Sequence, residues 1–461
     1  MAGPDTRPNH PGGGQSVGER ASEMALDAPR RPKVRELQRK LWAAAKRSPD
    51  RRFHALHDRI WRGDVLQEAW KRVRKNKGAA GVDGLTLVAV EEYGAERLLA
   101  ELQRDLREGT YRPAPTRRVD IPKPQGGKRP LGIPTVCDRI AQQAARLVLE
   151  PIFEAGFSDA SYGFRPRRSA TEAMEEIRKD FIRGRVWALD ADIRDYFSTI
   201  DHRLLMEKVA ERVSDRKVLK LLRKWLTAGV MEEGGYRQTV AGTPQGGVIS
   251  PLLSNVYPHA LDLAFQGEKH GLLVRYADDF VVLCRSEDEA RAAEAKAREV
   301  LASLGLELHP EKTKVVDLRE GREGFDFLGC HFRARASGKL MERGIRRYYL
   351  HRWPSKRAMK SIRAKVRAKT GRNHTGAGDI REVIADLNPI LRGWGNYFRT
   401  GNAANKFVTI DRYAVGRLRG LLVKRHGRNL RAGQAEQWTR QWFGELGLHQ
   451  LMGTIRYPGV A

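Results

Sequence analysis

The chain has 461 residues, of which 41% are hydrophobic, enough to build roughly two or three domains with cores of their own. This composition excludes an intrinsically disordered protein. The formal net charge of +29 favours a long polyanion such as a nucleic acid as the partner, because a small acidic substrate would not need so much positive charge.

Three cysteines, Cys137, Cys284 and Cys330, are too few for a disulfide framework or a paired-cysteine zinc module, so we expect a reducing, cytoplasmic setting. No apolar run approaches the length of a membrane span. Residues 1–31 are rich in Gly, Pro and charge and contain no apolar signal core, which predicts a disordered segment.

Helices and strands are predicted along the rest of the chain. In residues 34–76, apolar side chains recur at spacings near three and four, which predicts a basic helical extension. In residues 111–333, short apolar strands alternate with amphipathic helices, as in an α+β domain. Three helix starts are indicated by a capping box at Ser286, by Ser250 directly before a proline, and by Asp201 as an N-cap.

The last third of the chain is the most basic part. Residues 331–461 contain 28 Lys and Arg against 7 Asp and Glu, so they carry +21 of the net charge of +29. An ordinary solvated face explains this poorly, because the charges are interleaved with aromatic residues that could stack on bases. These aromatic residues are Tyr348, Tyr349, Trp353, Trp394, Tyr397 and Phe398. The pattern favours basic helices that bind nucleic acid, interrupted near residues 370–378.

Two pairs of aspartates carry the chemistry that the sequence suggests. Asp278 and Asp279 lie between two apolar runs, at the tip of a predicted β-hairpin. Asp190 and Asp192 alternate with apolar residues, which places both on one face of a predicted strand. Taken alone, the first pair is also consistent with a polar turn. Together, carboxylates from two segments of one sheet are what two-metal phosphoryl transfer requires.

Two glycine-containing segments are weaker signals. Residues 242–247 offer flexible backbone before a helix, although, taken alone, an ordinary strand-to-helix turn explains them better. Residues 121–130 place cations around a pair of glycines, as expected for a hairpin that binds phosphates.

Several of these segments carry a family resemblance. Residues 276–279, Tyr-Ala-Asp-Asp, resemble the YxDD box of reverse transcriptases, and residues 192–197 resemble the first palm motif of that family. Residues 243–255 are similar to the form found in group II intron reverse transcriptase/maturases, and residues 76–84 to the additional N-terminal block of the same family. Further blocks match in order at residues 162–166, 305–306 with 312–313, 327–329 and 391–398, so the resemblance runs from about residue 60 to 430.

The resemblance implies an α+β fold with right-hand-like fingers and palm, followed by a helical thumb. On this basis residues 32–110 would form a helical extension and the start of the fingers, and residues 111–335 the fingers and palm of the reverse transcriptase domain. Residues 336–440 would form the basic thumb or maturase domain, and residues 441–461 a C-terminal tail. The chain resembles the bacterial type that lacks a C-terminal HNH endonuclease domain, which suggests priming from a pre-existing nick or nascent strand.

The resemblance also assigns roles to site residues. It implies that Asp192, Asp278 and Asp279 are catalytic and hold two Mg²⁺ ions. Lys123 and Arg129 would contact the incoming triphosphate. It places Gln245 in the nucleotide pocket, and Phe197 where the family has a bulky gate against the ribose 2′-OH. Without the resemblance, a core aromatic would be the better reading of Phe197.

For some other residues the sequence leaves two interpretations open. Asp190 is not assigned by the resemblance and either supports the ligands or faces solvent. Lys312 would contact or protonate the leaving pyrophosphate, or be solvated. Arg165 would contact the template backbone, with a structural salt bridge as the alternative. The remaining predicted nucleic-acid contacts form a basic helical run, Arg363, Lys365, Arg367 and Lys369.

The resemblance therefore implies an RNA-directed DNA polymerase and intron maturase. Such a protein would bind group II intron RNA, assist its splicing and copy it into DNA during retromobility, with a DNA primer or target and dNTPs as further partners. Two alternatives are a splicing factor whose polymerase site is dispensable and a related reverse transcriptase recruited to host defence. An RNA-dependent RNA polymerase is disfavoured by Phe197, which would collide with a ribonucleotide 2′-OH.

Overall fold

The computed structural model describes residues 33–122, 127–232, 235–237, 241–242, 246–267, 270–371 and 379–457. The segment predicted to be disordered, residues 1–31, lies outside these ranges, as does most of the predicted interruption at residues 370–378. Within the described ranges, no helix is both long and apolar enough to cross a lipid bilayer.

Helices make up most of the described chain. They are α1 (Lys33–Arg47), α2 (His57–Ile60), α3 (Gly63–Lys75), α4 (Leu87–Tyr93), α5 (Ala95–Glu108), α6 (Val136–Glu154), α7 (Ala170–Ile182), α8 (Tyr196–Thr199), α9 (His202–Ala210), α10 (Arg216–Leu226), α11 (Ser250–Val256), α12 (His259–Ala264), α13 (Glu287–Ser303), α14 (Gly338–Met341), α15 (Lys356–Lys369), α16 (Ile380–Phe398), α17 (Ala404–His426) and α18 (Arg440–Glu445).

The described strands form three sheets, with the orders β2-β1-β4-β5, β6-β7-β3-β8 and β11-β10-β9. The strands are β1 (Thr116–Pro122), β2 (Lys128–Ile133), β3 (Trp187–Asp192), β4 (Val230–Glu232), β5 (Gly235–Arg237), β6 (Leu272–Tyr276), β7 (Asp279–Cys284), β8 (Lys314–Asp317), β9 (Gly324–Phe327), β10 (Cys330–Ala336) and β11 (Tyr348–Pro354). Short strands and amphipathic helices thus alternate before residue 333 and helices dominate after it, which confirms the predicted α+β architecture.

The central sheet, β6-β7-β3-β8, is antiparallel throughout and lies between two hydrophobic cores. Leu189 and Ala191 of β3 point into one core, together with the alanine-rich helix α13. Ala188 of β3 and Val281 of β7 point into the other, together with α7. Since side chains alternate along a strand, this confirms the predicted separation of apolar and acidic faces on β3.

Helix α6 is the centre of the N-terminal core, and almost all of its residues are buried against α1 and α3. Its buried carboxyl, Asp138, accepts hydrogen bonds from the Tyr111 hydroxyl, from Thr135 Oγ1 at 2.8 Å and from the backbone N–H of Ala114 at 3.2 Å. These bonds satisfy the buried charge and fix the chain just before β1 to the start of α6.

The predicted N-terminal helical extension forms α1, α2 and α3, with a non-helical segment at residues 48–56 between α1 and α2. There Phe53 exchanges backbone hydrogen bonds with Arg212 and Ser214 at 2.8 and 2.9 Å. The three predicted helix starts are confirmed. Asp201 accepts from the N–H of Leu204, the Ser286 hydroxyl accepts from the backbone three residues later, and α11 begins at Ser250.

The C-terminal part joins the third sheet to α15, α16 and α17. It packs on the α7 side of the central sheet, where buried Arg352 of β11 lies 3.4 Å from Glu175 of α7. The buried carboxylate of Asp411 in α17 accepts from the backbone N–H groups of Leu451 and Met452, both at 2.9 Å. Hydrogen bonds to a buried carboxylate therefore hold the chain around residues 451–452 against the helical bundle.

Candidate active site

Three acids meet at one edge of the central sheet. Ala277 and Asp278 form the two-residue turn between β6 and β7, with Ala277 at a φ of +61°. Asp279, the first residue of β7, is paired in register with Asp192, the last residue of β3. The backbone N–H of Ile193 donates to the carbonyl oxygen of Asp278 at 3.1 Å, which holds the turn against the end of β3.

The three carboxyls repel one another in a partly dry setting. Burial raises the pKa of Asp279 well above its usual range, and the nearby charges of Asp190, Asp192 and Asp278 raise it further. The pKa of Asp278 is raised as well, chiefly by burial and then by Asp192. Converging acids of this kind need a cation to be stable as carboxylates at neutral pH.

Two lysines supply part of that positive charge. Lys312 Nζ lies 2.5 Å from Asp192 Oδ2, and Lys314 Nζ lies 3.8 Å from Asp190 Oδ2. Asp190 is 9% exposed, and burial raises its pKa to about 7. Of the two interpretations of Asp190, a position that supports the ligands fits this burial better than exposure to solvent does. It sits beside the acids in a supporting position.

The donor set fits a hard divalent cation such as Mg²⁺, which prefers carboxylate oxygens. In the described part of the chain, no group of three or more His, Cys, Asp or Glu side chains has the spacing of a ready-formed metal site. Lys312 occupies one oxygen of Asp192 in this arrangement. A cation bound through Asp192 Oδ2 would therefore compete with the ammonium group of Lys312.

A cation and an aromatic ring flank the acids. The Arg129 guanidinium carbon lies 6.0 Å from the ring centroid of Phe197, and the positive charge of Arg129 acts against the raised pKa of Asp278. Phe197 is half-buried and packs edge-on against Tyr196 at 5.2 Å, while the Tyr196 hydroxyl donates to the carbonyl oxygen of Ser254 at 2.6 Å. Two of the four predicted nucleotide-binding residues thus lie together near the acids.

The other two predicted nucleotide-binding residues, Lys123 and Gln245, lie outside the described residues. Glycines near Gln245 are described and make close approaches. A Cβ on Gly242 would lie 2.7 Å from the carbonyl oxygen of Phe197, and one on Gly246 would lie 2.3 Å from that of Gly132. Both glycines also have positive φ, at +88° and +116°, so larger residues would be strained there.

A buried arginine that the sequence analysis missed supports the turn that carries Asp278. Arg275 of β6 is fully buried, and its Nε and Nη2 each donate at 2.6 Å to the fully buried carboxylate of Asp262. Its Nη1 donates to the carbonyl oxygen of Ala277 at 3.0 Å, within the turn, and Nη2 also donates to Ser161 Oγ at 2.9 Å. The available signal was a charged residue in an apolar strand directly before Tyr276.

A second element packs against the same turn. A Cβ on Gly163 would lie 2.6 Å from the backbone nitrogen of Ala277, so only glycine fits that approach without a shift. The Asn255 side chain donates to the carbonyl oxygen of Gly163 at 2.7 Å and contacts Arg275 at 3.4 Å. Residues 161–163, α11 and β6 therefore form one buried polar network under the acids.

Arg165 does not have the placement expected of a template contact. It is 7% exposed, and its guanidinium donates to both carboxylate oxygens of Glu154 and to the carbonyl oxygens of Ser158 and Ser161. This geometry fits the alternative interpretation, in which Arg165 forms a structural salt bridge. The physical reason is that the side chain turns inward to the end of α6.

The predicted basic run lies on one helix, α15, in the C-terminal part. Arg363, Lys365 and Arg367 are exposed, whereas Lys369 forms an ion pair with Asp386 at 2.8 Å. An open cavity of about 700 Å³ lies between one edge of the central sheet, the third sheet and helices α15 and α17. Its walls include Asp190 and, on the helical side, basic residues from both helices, namely Lys356, Arg363 and Lys406.

An antiparallel sheet with three acids at one edge and a basic helical domain beside it is typical of the palm of a nucleic acid polymerase. Two families match the chain: reverse transcriptase (RNA-dependent DNA polymerase) at residues 121–332, and the group II intron maturase-specific domain at residues 359–442. The chain belongs to the reverse transcriptases that carry this maturase-specific domain.

Individual proteins are similar to different shares of the chain. Protein YkfC of Escherichia coli (strain K12) is 38% identical over 340 residues, which cover 64% of this chain and 87% of that protein. The group II intron-encoded protein LtrA of Lactococcus lactis subsp. cremoris is 40% identical over 46% of this chain, a match that spans 35% of LtrA. Among solved structures, a partial Cas6-RT-Cas1–Cas2 complex is similar over 54% of this chain and 42% of that chain, at 27% identity and a TM-score of 0.34.

Proposed function

We propose that this reverse transcriptase copies RNA into DNA at the edge of the central sheet, with Asp192, Asp278 and Asp279 as its catalytic residues and the holders of two Mg²⁺ ions. The observation that supports this most directly is the in-register pairing of Asp192 with Asp279, next to the turn that carries Asp278. Few structural roles explain three acids that share so little solvent.

Bound Mg²⁺ would lower the pKa of the primer 3′-hydroxyl and stabilise the negative charge that develops on the transferred phosphoryl group. The protein side chains would position the reacting groups. The three acids would hold the Mg²⁺ ions in place. Lys312, whose Nζ lies 2.5 Å from Asp192 Oδ2, would contact or protonate the leaving pyrophosphate. Arg129, together with Lys123, would bind the triphosphate, and Gln245 would line the nucleotide pocket.

Phe197 would act as the gate that excludes ribonucleotides. Its ring is held from one side by Tyr196, whose hydroxyl is fixed by Ser254, so the ring cannot move away freely. An aromatic ring of this size beside the proposed catalytic acids would clash with a ribonucleotide 2′-OH. The same geometry supports deoxynucleotides as the substrates.

The partners that we propose are group II intron RNA, a DNA primer or target strand, and dNTPs. The exposed cations of α15 and the basic wall of the open cavity support a nucleic acid path from the C-terminal helices to the acids. Through these contacts the protein would bind its intron RNA and assist splicing. A cytoplasmic location fits the three cysteines, all of which are unpaired.

The test of this function is primer extension on an RNA template by the full chain, with Mg²⁺ and either dNTPs or rNTPs. The parent should extend a DNA primer with dNTPs, and Asp192→Asn should not, while both bind RNA with similar affinity. A polymerase-active Asp192→Asn variant would contradict the assignment of the acids. A parent protein that supports splicing without any extension would favour a splicing factor with a dispensable polymerase site.

A further inference from the structure

A basic cavity lies on the N-terminal side of the molecule, on elements that do not carry the catalytic acids. It has a volume of about 300 Å³ and is formed by the end of α5, the turn after it, the start of α2 and one face of α10. Lys217, Lys220 and Lys224 of α10 and Arg107 of α5 line it. The three lysines are three and four residues apart, so one helix face presents them together.

Within the described ranges, these four cations form no ion pair with Asp or Glu, although one exposed acid, Glu108, lies in the same wall. Helix α10 has five basic residues and no acidic residue in its sequence, Arg-Lys-Val-Leu-Lys-Leu-Leu-Arg-Lys-Trp-Leu. The preceding helix α9 is different, because Arg203 pairs with Glu207 and Lys208 pairs with Glu211, both at 2.8 Å. Unlike α9, α10 therefore carries its positive charge without acidic partners on the same helix.

The wall of the cavity is fixed in place. Lys224 Nζ donates to the carbonyl oxygen of Tyr111 at 2.8 Å, and the indole N–H of Trp225 donates to the Tyr111 hydroxyl at 3.0 Å. Burial lowers the pKa of Lys224, and the neighbouring charges of Arg112 and Lys220 lower it further. Lys224 is thus held in place near other positive charges, an arrangement that an anionic ligand would relieve.

We propose that this cavity binds the phosphodiester backbone of RNA through Lys217, Lys220 and Arg107, as a contact separate from the C-terminal basic helices. The inference rests on the proposed function, which supplies RNA as the partner. A backbone fits better than a free anion because Arg216 and Arg223, also exposed on α10, extend the positive charge beyond the cavity. The helix of 11 residues is about 16 Å long, which exceeds the reach of one phosphate group.

The test compares two double variants of the full chain, binding a fluorescein-labelled RNA hairpin over a series of salt concentrations. Lys217→Gln with Lys220→Gln removes two charges from the cavity. Arg203→Gln with Lys208→Gln removes two charges from α9 and is the matched control. Both cavity lysines are exposed, so the melting temperature should remain that of the parent, and the Lys→Arg double variant should restore binding.

The cavity variant should bind RNA about tenfold more weakly near physiological salt, and its slope of log K against log[salt] should be shallower by roughly 1.4 to 1.8, that is 0.7 to 0.9 for each lost phosphate contact. The control should stay close to the parent. Equal affinity and slope in the two double variants would overturn the inference.

A second measurement, with inorganic phosphate, distinguishes an RNA backbone from a free small anion as the ligand of the cavity. If phosphate raises the melting temperature of the parent but not of the cavity variant, while RNA affinity is the same in both, the cavity binds a small anion and the RNA assignment is overturned. A parent that binds no RNA at all would instead contradict the proposed function, and the inference with it. A parent that binds RNA while the cavity variant matches the control contradicts the inference alone.

Discussion

Arg275 and Asp262 form a two-bond ion pair with no exposed surface, and the same guanidinium donates to the carbonyl oxygen of Ala277, one residue before Asp278. The position of Asp278, a proposed catalytic acid, is thereby linked to a buried charge pair. Removing one partner leaves the other charge unpaired in a dry site, which costs far more than breaking an exposed pair.

We predict that Asp262→Asn lowers the free energy of unfolding by about 3–5 kcal/mol, because it leaves Arg275 buried without its counter-charge. Urea denaturation measures this change. The control is Glu207→Gln, which breaks the exposed ion pair with Arg203 and should cost at most about 1 kcal/mol. Equal losses in the two variants would show that the buried pair adds nothing to the stability of the fold.

The same pair predicts a pH dependence. Burial alone would raise the pKa of Asp262, but the charge and hydrogen bonds of Arg275 outweigh it, so the pKa lies below its usual value. A depressed carboxyl pKa contributes stability that is present above the unfolded-state pKa and is lost as the pH falls through the folded-state pKa. The parent should therefore lose unfolding free energy more steeply than Asp262→Asn below about pH 5. Parallel acid titrations would contradict this.

Phe197→Val should admit ribonucleotides, since a smaller side chain opens space for a 2′-OH, while the use of deoxynucleotides should fall only modestly. The matched control is Phe197→Tyr, which keeps the bulk and should keep the discrimination. Single-nucleotide incorporation with dNTP and rNTP gives the ratio of kcat/KM values. An unchanged ratio in Phe197→Val would show that the Phe197 ring has only a structural role.

Replacing Arg363, Lys365, Arg367 and Lys369 with Gln should weaken RNA binding and flatten its salt dependence, because the first three are exposed on α15. We expect the slope of log K against log[salt] to lose roughly 2 to 3, from three phosphate contacts at 0.7 to 0.9 each. Lys369→Gln alone is the control and should stay near the parent, since Lys369 is paired with Asp386. If the quadruple variant kept the parental slope, these four residues would be a solvated surface that does not contact RNA.

The parts of the site that follow local patterns could be predicted from the sequence. Alternation along β3 placed Asp190 and Asp192 on one face, and two apolar runs around Asp278 and Asp279 predicted the β6–β7 hairpin. Both patterns depend on neighbours within a few residues. That the two elements are adjacent in one sheet is a tertiary fact, for which only the family resemblance gave a reason.

Long-range partners could not be predicted. The sequence shows Arg165 within a basic motif, but whether it faces RNA or Glu154 depends on where α6 ends relative to residues 158–165. The role of Arg275 could not be predicted because its partner, Asp262, lies on another element. The two side chains meet only when α12 packs against β6. Burial of Asp190 likewise depends on the core that covers that strand face.

The most direct measurement of the central claim is primer extension by Asp278→Asn on an RNA template, alongside its RNA affinity. The account predicts a loss of extension rate on the order of a thousandfold, because a metal-binding charge is removed, with RNA affinity close to that of the parent. Asp159→Asn, which removes a highly exposed acid, should leave both unchanged. Extension by Asp278→Asn at the parental rate would contradict the assignment of this sheet edge as the polymerase site.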